Sequence, residues 1–160
     1  MIGAGGGSGG HLYPGVGMAG GLKQAVPSVW PLVVGARRGI EREVLPQLGY
    51  PFELLDLHPL YRSRPWENWK TIRGAVSAWR MIAGEVRSER PACVVATGGY
   101  ASGLTLAYAA AHNIPIVLQE QNTFPGITTK FFSRFAAQIH LGFPEARRHL
   151  APSKKMAVFE

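Results

Sequence analysis

Short apolar runs alternate along the chain with longer segments whose apolar residues recur every three or four positions. Val29–Val34, Phe52–Leu57, Ala92–Thr97 and Ile114–Leu118 are apolar runs of strand length, and Ile139–Leu141 is a shorter one. Met1–Ile2 reads as the stub of a possible first strand, with Gly3–Gly10 a glycine loop after it. Helices are predicted over Tyr13–Ala25, Glu41–Leu48, Trp66–Arg90, Ser102–His112 and Ile127–Ala136, with Gly49 closing the second and Pro91 ending the third. The third carries Trp66, Trp69, Ile72, Val76, Trp79, Ala83 and Val86 at spacings of three and four. Such a stripe is more often core than interface. Regular alternation of strand and helix predicts a parallel sheet with helices on both faces, a doubly wound α/β domain. Ligands of such sheets bind beyond the carboxyl ends of the strands.

Composition narrows the class. The 160 residues are about one domain, and 46% hydrophobic with 17% charged residues excludes disorder and a coiled coil. No apolar run approaches the length of a membrane span. The single Cys93 excludes an intrachain disulfide framework and a cysteine metal cage. The formal charge of +7 predicts attraction to a polyanion: nucleic acid, anionic lipid or a phosphate-bearing substrate. Basic residues concentrate in Arg62, Arg64, Lys70, Arg73, Arg80, Arg87 and Arg90, against Glu67, Glu85 and Glu89 in the same stretch. Trp66 and Trp69 stand among the first four of those cations, an arrangement suited to lipid headgroups. No motif for reading nucleic acid accompanies the charge.

Three polar loops follow strands and precede helices, so they are expected to meet at one sheet edge. In the first, Gly5, Gly7 and Gly10 satisfy G-x-G-x-x-G, whose backbone N–H groups at a helix N-terminus favour a phosphate. The same spacing also serves as a tight structural turn. No acidic residue marks a ribose site after the second strand, where Gly35-Ala36-Arg37-Arg38 stands, and the absence of G-K-[ST] excludes a P-loop. His11 follows the glycines, placed either to take a proton from a hydroxyl or merely to cap or pack at the helix entry. The second loop is Thr97–Gly103. Its paired Gly98 and Gly99 allow close backbone approach, Ser102 is a good N-cap, and Tyr100 can cover a sugar or lipid diphosphate or pack on the sheet. The third, Gln119-Glu120-Gln121-Asn122, lines up polar side chains that suit a polyhydroxylated ligand or an ordinary turn.

These segments resemble the MurG family of bacterial glycosyltransferases. Gly5–Gly10 with His11-Leu12-Tyr13-Pro14-Gly15 is similar to its GGGTGGHxxPG opening, and Gly98–Gly103 to its GGYxSG loop. Glu120-Gln121-Asn122 with Pro125, Gly126 and Thr128 is similar to its HEQNxxPGxTN segment, and Phe143-Pro144-Glu145-Ala146 to its FPxA. Four motifs in order cover most of the chain. The resemblance implies the N-terminal, acceptor-binding half (1–160) of a GT-B glycosyltransferase, Rossmann-like, with a C-terminal donor domain beyond it. It implies inverting transfer of N-acetylglucosamine from UDP-N-acetylglucosamine to the muramoyl 4-hydroxyl of lipid I, at the cytoplasmic face of the cell membrane and without a cofactor or an essential metal.

By the same resemblance Ser8, Gly9, Gly10 and Asn122 touch the donor. Gly7, Gly98, Gly99, Tyr100, Ser102, Glu120 and Gln121 belong to the acceptor and diphosphate site. His11 is the candidate base. Trp66, Trp69, Arg62, Arg64, Lys70 and Arg73 are the candidates for docking on anionic lipid.

Three departures stand out: Ser8 for the usual Thr, Gln119 for His, and Thr129 for Asn. The brief Met1–Ile2 stub predicts a truncated first strand and a poorly supported sheet centre. The chain alone is expected to be inactive. Competing readings are a GT-B transferase with another lipid-linked or natural-product acceptor, a non-catalytic membrane-docking subunit of a split transferase, and an NAD-binding module.

Overall fold

A computed structural model describes residues 1–6, 9–57, 68–151 and 156–158, and of residues 68–70 the backbone alone. Seven parallel strands form one sheet: β1 (Ile2–Gly5), β2 (Leu32–Ala36), β3 (Phe52–Leu55), β4 (Val94–Gly98), β5 (Ile116–Glu120), β6 (Gln138–Leu141) and β7 (Met156–Val158). They lie in the order β3-β2-β1-β4-β5-β6-β7. The helices are α1 (Gly9–Ala25), α2 (Glu41–Val44), α3 (Asn68–Ser88), α4 (Tyr100–Ala111) and α5 (Ile127–Phe132).

Chain direction decides the layers. The steps from β1 to β2 and from β4 to β5 run opposite ways along the sheet, so right-handed crossovers put α1 and α4 on opposite faces. Neighbouring strand residues confirm this, since successive side chains point to opposite faces. Val34 and Leu55 join the large core with Ala78 and Ile82 of α3 and Leu106 of α4. Val33 joins Leu12 of α1 and Leu45, with Leu54 packed against them. The order therefore reverses between β1 and β4, and the crevice at the carboxyl ends of those two strands is where this class of sheet binds its ligand.

Several boundaries differ from the sequence expectation. The first strand is no stub: Gly3, Ala4 and Gly5 continue it, buried between β2 and β4, so the loop starts at Gly6. Small residues concealed that strand, because its ladder comes from two neighbours and owes little to β-branched side chains. Pro31 has no N–H to give, and β2 begins after it, running on through Gly35 and Ala36 to pair with Leu54 and Leu55. The second and fifth helices are shorter than expected. Each gives way to a 3₁₀ turn, Leu45–Gln47 and Ser133–Phe135. A further 3₁₀ turn at Pro144–His149 and the edge strand β7 carry no strong sequence signal.

Among the described residues of α3 the buried positions are Gly74, Ala78 and Ile82, while Ile72 is 66% and Val76 47% exposed. The apolar stripe is thus split between core and surface. Trp79, Ala83 and Val86 pack on the core from partly buried positions.

Candidate functional site

The three loops meet. Ala4 pairs with Ala96 and Gly5 with Gly98, so Thr97 is an extra residue on β4, a bulge at the centre of the crevice. Bulges re-aim a residue out of the ladder. Here the Thr97 hydroxyl donates to the His11 carbonyl at 2.6 Å, and the Thr97 carbonyl oxygen lies 2.9 Å from His11 Nδ1. His11 is the third residue of α1, so a strand bulge and a helix start together hold the imidazole.

Gly98 and Gly99 make room for that ring. A Cβ on Gly98 would stand 3.2 Å from both Nδ1 and Cε1 of His11, and one on Gly99 would stand 3.2 Å from its Cδ2. Their φ values of 95° and 82° also lie where side-chain-bearing residues are strained. On its other side a Gly99 Cβ would collide with the carbonyl oxygen of Gly6, so the first and second turns are in backbone contact.

The third loop closes the arrangement. Gln121 Nε2 donates to the Gly10 carbonyl at 2.8 Å and to the Thr97 carbonyl at 3.3 Å, and lies 2.8 Å from His11 Nδ1. Pro14, inside α1, has no N–H to offer Gly10 four residues earlier; Gln121 supplies the missing donor. Glu120 is 1% exposed, and its Oε1 accepts from the backbone N and the side-chain Nδ2 of Asn122 at 3.0 and 2.9 Å. The buried carboxylate thereby fixes the amide of exposed Asn122.

Glu120 keeps its place in the third loop, buried, with Oε1 on Asn122 and Oε2 without a hydrogen-bond partner among the described residues. Two expectations are corrected by this geometry. Ser102 is not the cap of α4, because that helix begins at Tyr100 with Gly99 as its N-cap. Ser102 is fully buried, and its hydroxyl donates back to the Gly99 carbonyl at 2.8 Å, fastening the turn. Gln119 stands apart from its neighbours, lining an apolar groove of about 620 Å3 beside α1 with Val95, Val117 and Leu141.

Of the remaining candidates, Gly9 and Gly10 open α1 beside His11, and Tyr100 opens α4, about half-exposed at the rim. Burial raises the Tyr100 phenol above its ordinary 10.0, nearby Glu41 adds to this, and Arg38 opposes it, so the hydroxyl is a neutral donor. Arg73 is exposed on α3. Trp69 and Lys70 lie in α3 with their side chains outside the described residues, and Gly7, Ser8, Arg62, Arg64 and Trp66 lie outside them altogether.

Two contributors carried no sequence-based role. Thr97 was visible only as a loop residue. Glu41, the first residue of α2, is fully buried, and Cβ atoms on Gly6, Gly35 or Gly39 would each run into its side chain. Three glycines thus make a slot that brings this side chain beneath the first turn. A glycine-rich run ahead of a helix-start glutamate was the available signal.

A parallel sheet of this order, with two glycine turns and a histidine at its switch point, defines a Rossmann-like domain whose crevice lies beyond the carboxyl ends of β1 and β4. The chain belongs to the glycosyltransferase family 28 N-terminal domain family, whose model matches residues 1–141. It is 42% identical over 160 residues to the UDP-N-acetylglucosamine–N-acetylmuramyl-(pentapeptide) pyrophosphoryl-undecaprenol N-acetylglucosamine transferase of Prosthecochloris aestuarii, covering 98% of this chain and 43% of that protein. The protein of the same name from Moorella thermoacetica is 42% identical over 146 residues, covering 89% of this chain and 38% of its own length. The crystal structure of Acinetobacter baumannii MurG shares the fold, with a TM-score of 0.77 at 24% identity over 99% of this chain and 44% of that one. The resemblance to MurG read from the four motifs is borne out. The chain spans less than half the length of these relatives.

Proposed function

We propose that this chain supplies the acceptor-binding half of a UDP-N-acetylglucosamine-dependent transferase that converts lipid I to lipid II in peptidoglycan synthesis, working as a peripheral protein at the cytoplasmic face of the cell membrane. The observation that carries the reading is the convergence of His11, Gly98-Gly99 and Gln121 at the switch point. The N-termini of α1 and α4 open at the same place, and first-turn N–H groups, which have no acceptor within their own helix, suit a diphosphate. His11 Nε2 meets no hydrogen-bond partner among the described residues, so it is available to a substrate hydroxyl. In the proposed step it takes the proton of the muramoyl 4-hydroxyl as that oxygen bonds to the anomeric carbon of N-acetylglucosamine. The bond from that carbon to UDP breaks on the opposite side, the electron pair leaves with UDP, and the configuration inverts.

Donor contacts are assigned to Ser8, Gly9, Gly10 and Asn122, and acceptor contacts to Gly7, Gly98, Gly99, Tyr100 and Gln121. Most of the donor site is assigned to the length of the relatives that this chain does not span, which is why the chain alone is proposed to be inactive. Membrane docking is assigned to the start of α3 and the segment before it. Exposed Ile72 and Val76 beside exposed Arg73 support it, as apolar and basic groups together suit an anionic interface. Among the described residues no helix is long and apolar enough to cross a membrane.

The NAD-binding reading loses support at β2, where exposed Arg37 and Arg38 follow the strand in place of the ribose-binding acid and Arg38 pairs with Asp56 at 3.5 Å. The test is a parallel titration of the purified chain with a soluble lipid I analogue, UDP-N-acetylglucosamine and NAD. Saturable binding of the analogue that weakens in His11→Ala is expected. Tight NAD binding with no analogue binding would overturn the proposal.

A further inference from the structure

We infer that Gln121 is a positioning residue. Together with the bulged Thr97 carbonyl, it holds neutral His11 as the Nδ1–H tautomer, leaving the lone pair on Nε2. The tautomer follows from geometry alone; its use in proton transfer rests on the function proposed above.

Four close contacts involve only a few hydrogens. His11 Nδ1 lies 2.9 Å from the Thr97 carbonyl oxygen and 2.8 Å from Gln121 Nε2. The same Nε2 lies 2.8 Å from the Gly10 carbonyl oxygen and 3.3 Å from that of Thr97. A carbonyl oxygen only accepts, and an amide nitrogen brings two hydrogens. Two carbonyl oxygens at these distances fix which end of the Gln121 amide faces them, since its own oxygen would be repelled by both. That oxygen is buried and has no partner among the described residues.

Only two placements of the imidazole proton remain. If Nδ1 is bare and accepts from Gln121, its lone pair points at the Thr97 carbonyl 2.9 Å away. If Nδ1 carries the proton, it donates to Thr97, both Gln121 hydrogens have carbonyl acceptors, and the Thr97 oxygen uses its two lone pairs. The second placement leaves no hydrogen without an acceptor and sets two N–H donors side by side at 2.8 Å, whereas the first turns a lone pair on a carbonyl oxygen and leaves the proton on Nε2 without a partner among the described residues. It also survives a second proton arriving at Nε2, because the bond from Nδ1 is unchanged. A ring nitrogen bonded to a backbone carbonyl is the usual way a protein sets a histidine's tautomer.

What makes the device specific to this chain is the source of the two oxygens. The bulge between Ala4 and Gly5 pairing turns Thr97 out of the ladder, and Pro14 leaves Gly10 without its helical donor. Gln121 ties both together from a third loop. The amide therefore aligns the Thr97 oxygen with the ring and does not compete for Nδ1.

The test is the nitrogen-15 spectrum of the histidine side chains in the intact chain, with His11 assigned from His11→Gln. No donor or acceptor is needed, so the outcome is independent of whether lipid I is the substrate. The expected result for the neutral ring is a protonated Nδ1 and a bare Nε2. A protonated Nε2 with bare Nδ1 would overturn the inference and make Gln121 the donor to the ring. Gln121→Met, close in volume, is expected to lower the Nδ1–H fraction, because the Thr97 oxygen loses its tie. An unchanged or raised fraction in that variant contradicts a positioning role. The wild-type spectrum decides the tautomer even where a variant fails to fold.

Discussion

Gly99→Ala probes the contact between the first two turns most directly. Gly99 has φ 82° and ψ 164°, a region used almost only by glycine, and placing alanine there costs about 1–3 kcal/mol. The new Cβ would also overlap the Gly6 carbonyl oxygen, a backbone atom with no rotamer to escape into, and press on Cδ2 of His11 at 3.2 Å. Overpacking of that kind adds about 1–3 kcal/mol. A stiffer unfolded chain offsets about 0.4–1 kcal/mol. The central values leave a net loss of about 3 kcal/mol, or a fall in Tm of roughly 6–12 °C for a domain of this size. Gly21→Ala is the matched control, because it lies inside α1 with open space where its Cβ would go and should raise stability by about 0.5–1 kcal/mol. Urea and thermal unfolding of both variants beside the wild type make the comparison. If Gly99→Ala unfolds with the wild type while Gly21→Ala is stabilised, the turns do not touch and the site as described is wrong.

Gly35→Ala should be destabilised by about 1–3 kcal/mol in the same urea assay, because its Cβ would stand 2.7 Å from Cγ of buried Glu41. The Glu53 carboxyl is raised above its ordinary 4.5 by burial first and by Glu85 second, with Arg37 opposing. The folded state therefore holds this proton more tightly than the unfolded chain. Its contribution to stability is greatest in acid, below the unfolded value, and is lost as pH rises through the higher folded value. Glu53→Gln should accordingly flatten the decline in stability just above pH 4.5 and leave the protein more stable at neutral pH. A steeper decline in urea titrations across that range would refute the assignment. Ile72→Ser with Val76→Ser should weaken co-sedimentation with anionic vesicles while leaving Tm close to wild type, because both side chains are exposed. Unchanged sedimentation would remove α3 from the docking surface.

The sheet, its parallel sense and the meeting of three loops were legible because strand runs and helix stripes differ in period and because right-handed connections leave few ways to join them. What stayed hidden has physical causes. Gly3, Ala4 and Gly5 have poor strand propensity, and only pairing on both sides makes them β1. Ser102 looked like a helix cap because its hydroxyl suits one, yet Gly99 reaches a backbone geometry that caps α4 three residues earlier. Glu120 and Gln121 showed only their polarity in the sequence; the burial of the first and the reach of the second to Gly10 and His11 come from the fold, through contacts more than a hundred residues apart for Gln121. Thr97 gained its role from a one-residue slip in register, which no local pattern announces.

The most direct measurement of the central claim is an amide chemical-shift map of the isotopically labelled chain titrated with a soluble lipid I analogue. Saturable shifts gathered at Gly10, His11, Thr97–Gly99, Gln121 and Asn122 are the predicted result, since these residues form one crevice. Shifts gathered instead along Met18, Leu22, Val117 and Leu141, the apolar groove beside α1, or no saturable shifts at all, would contradict it.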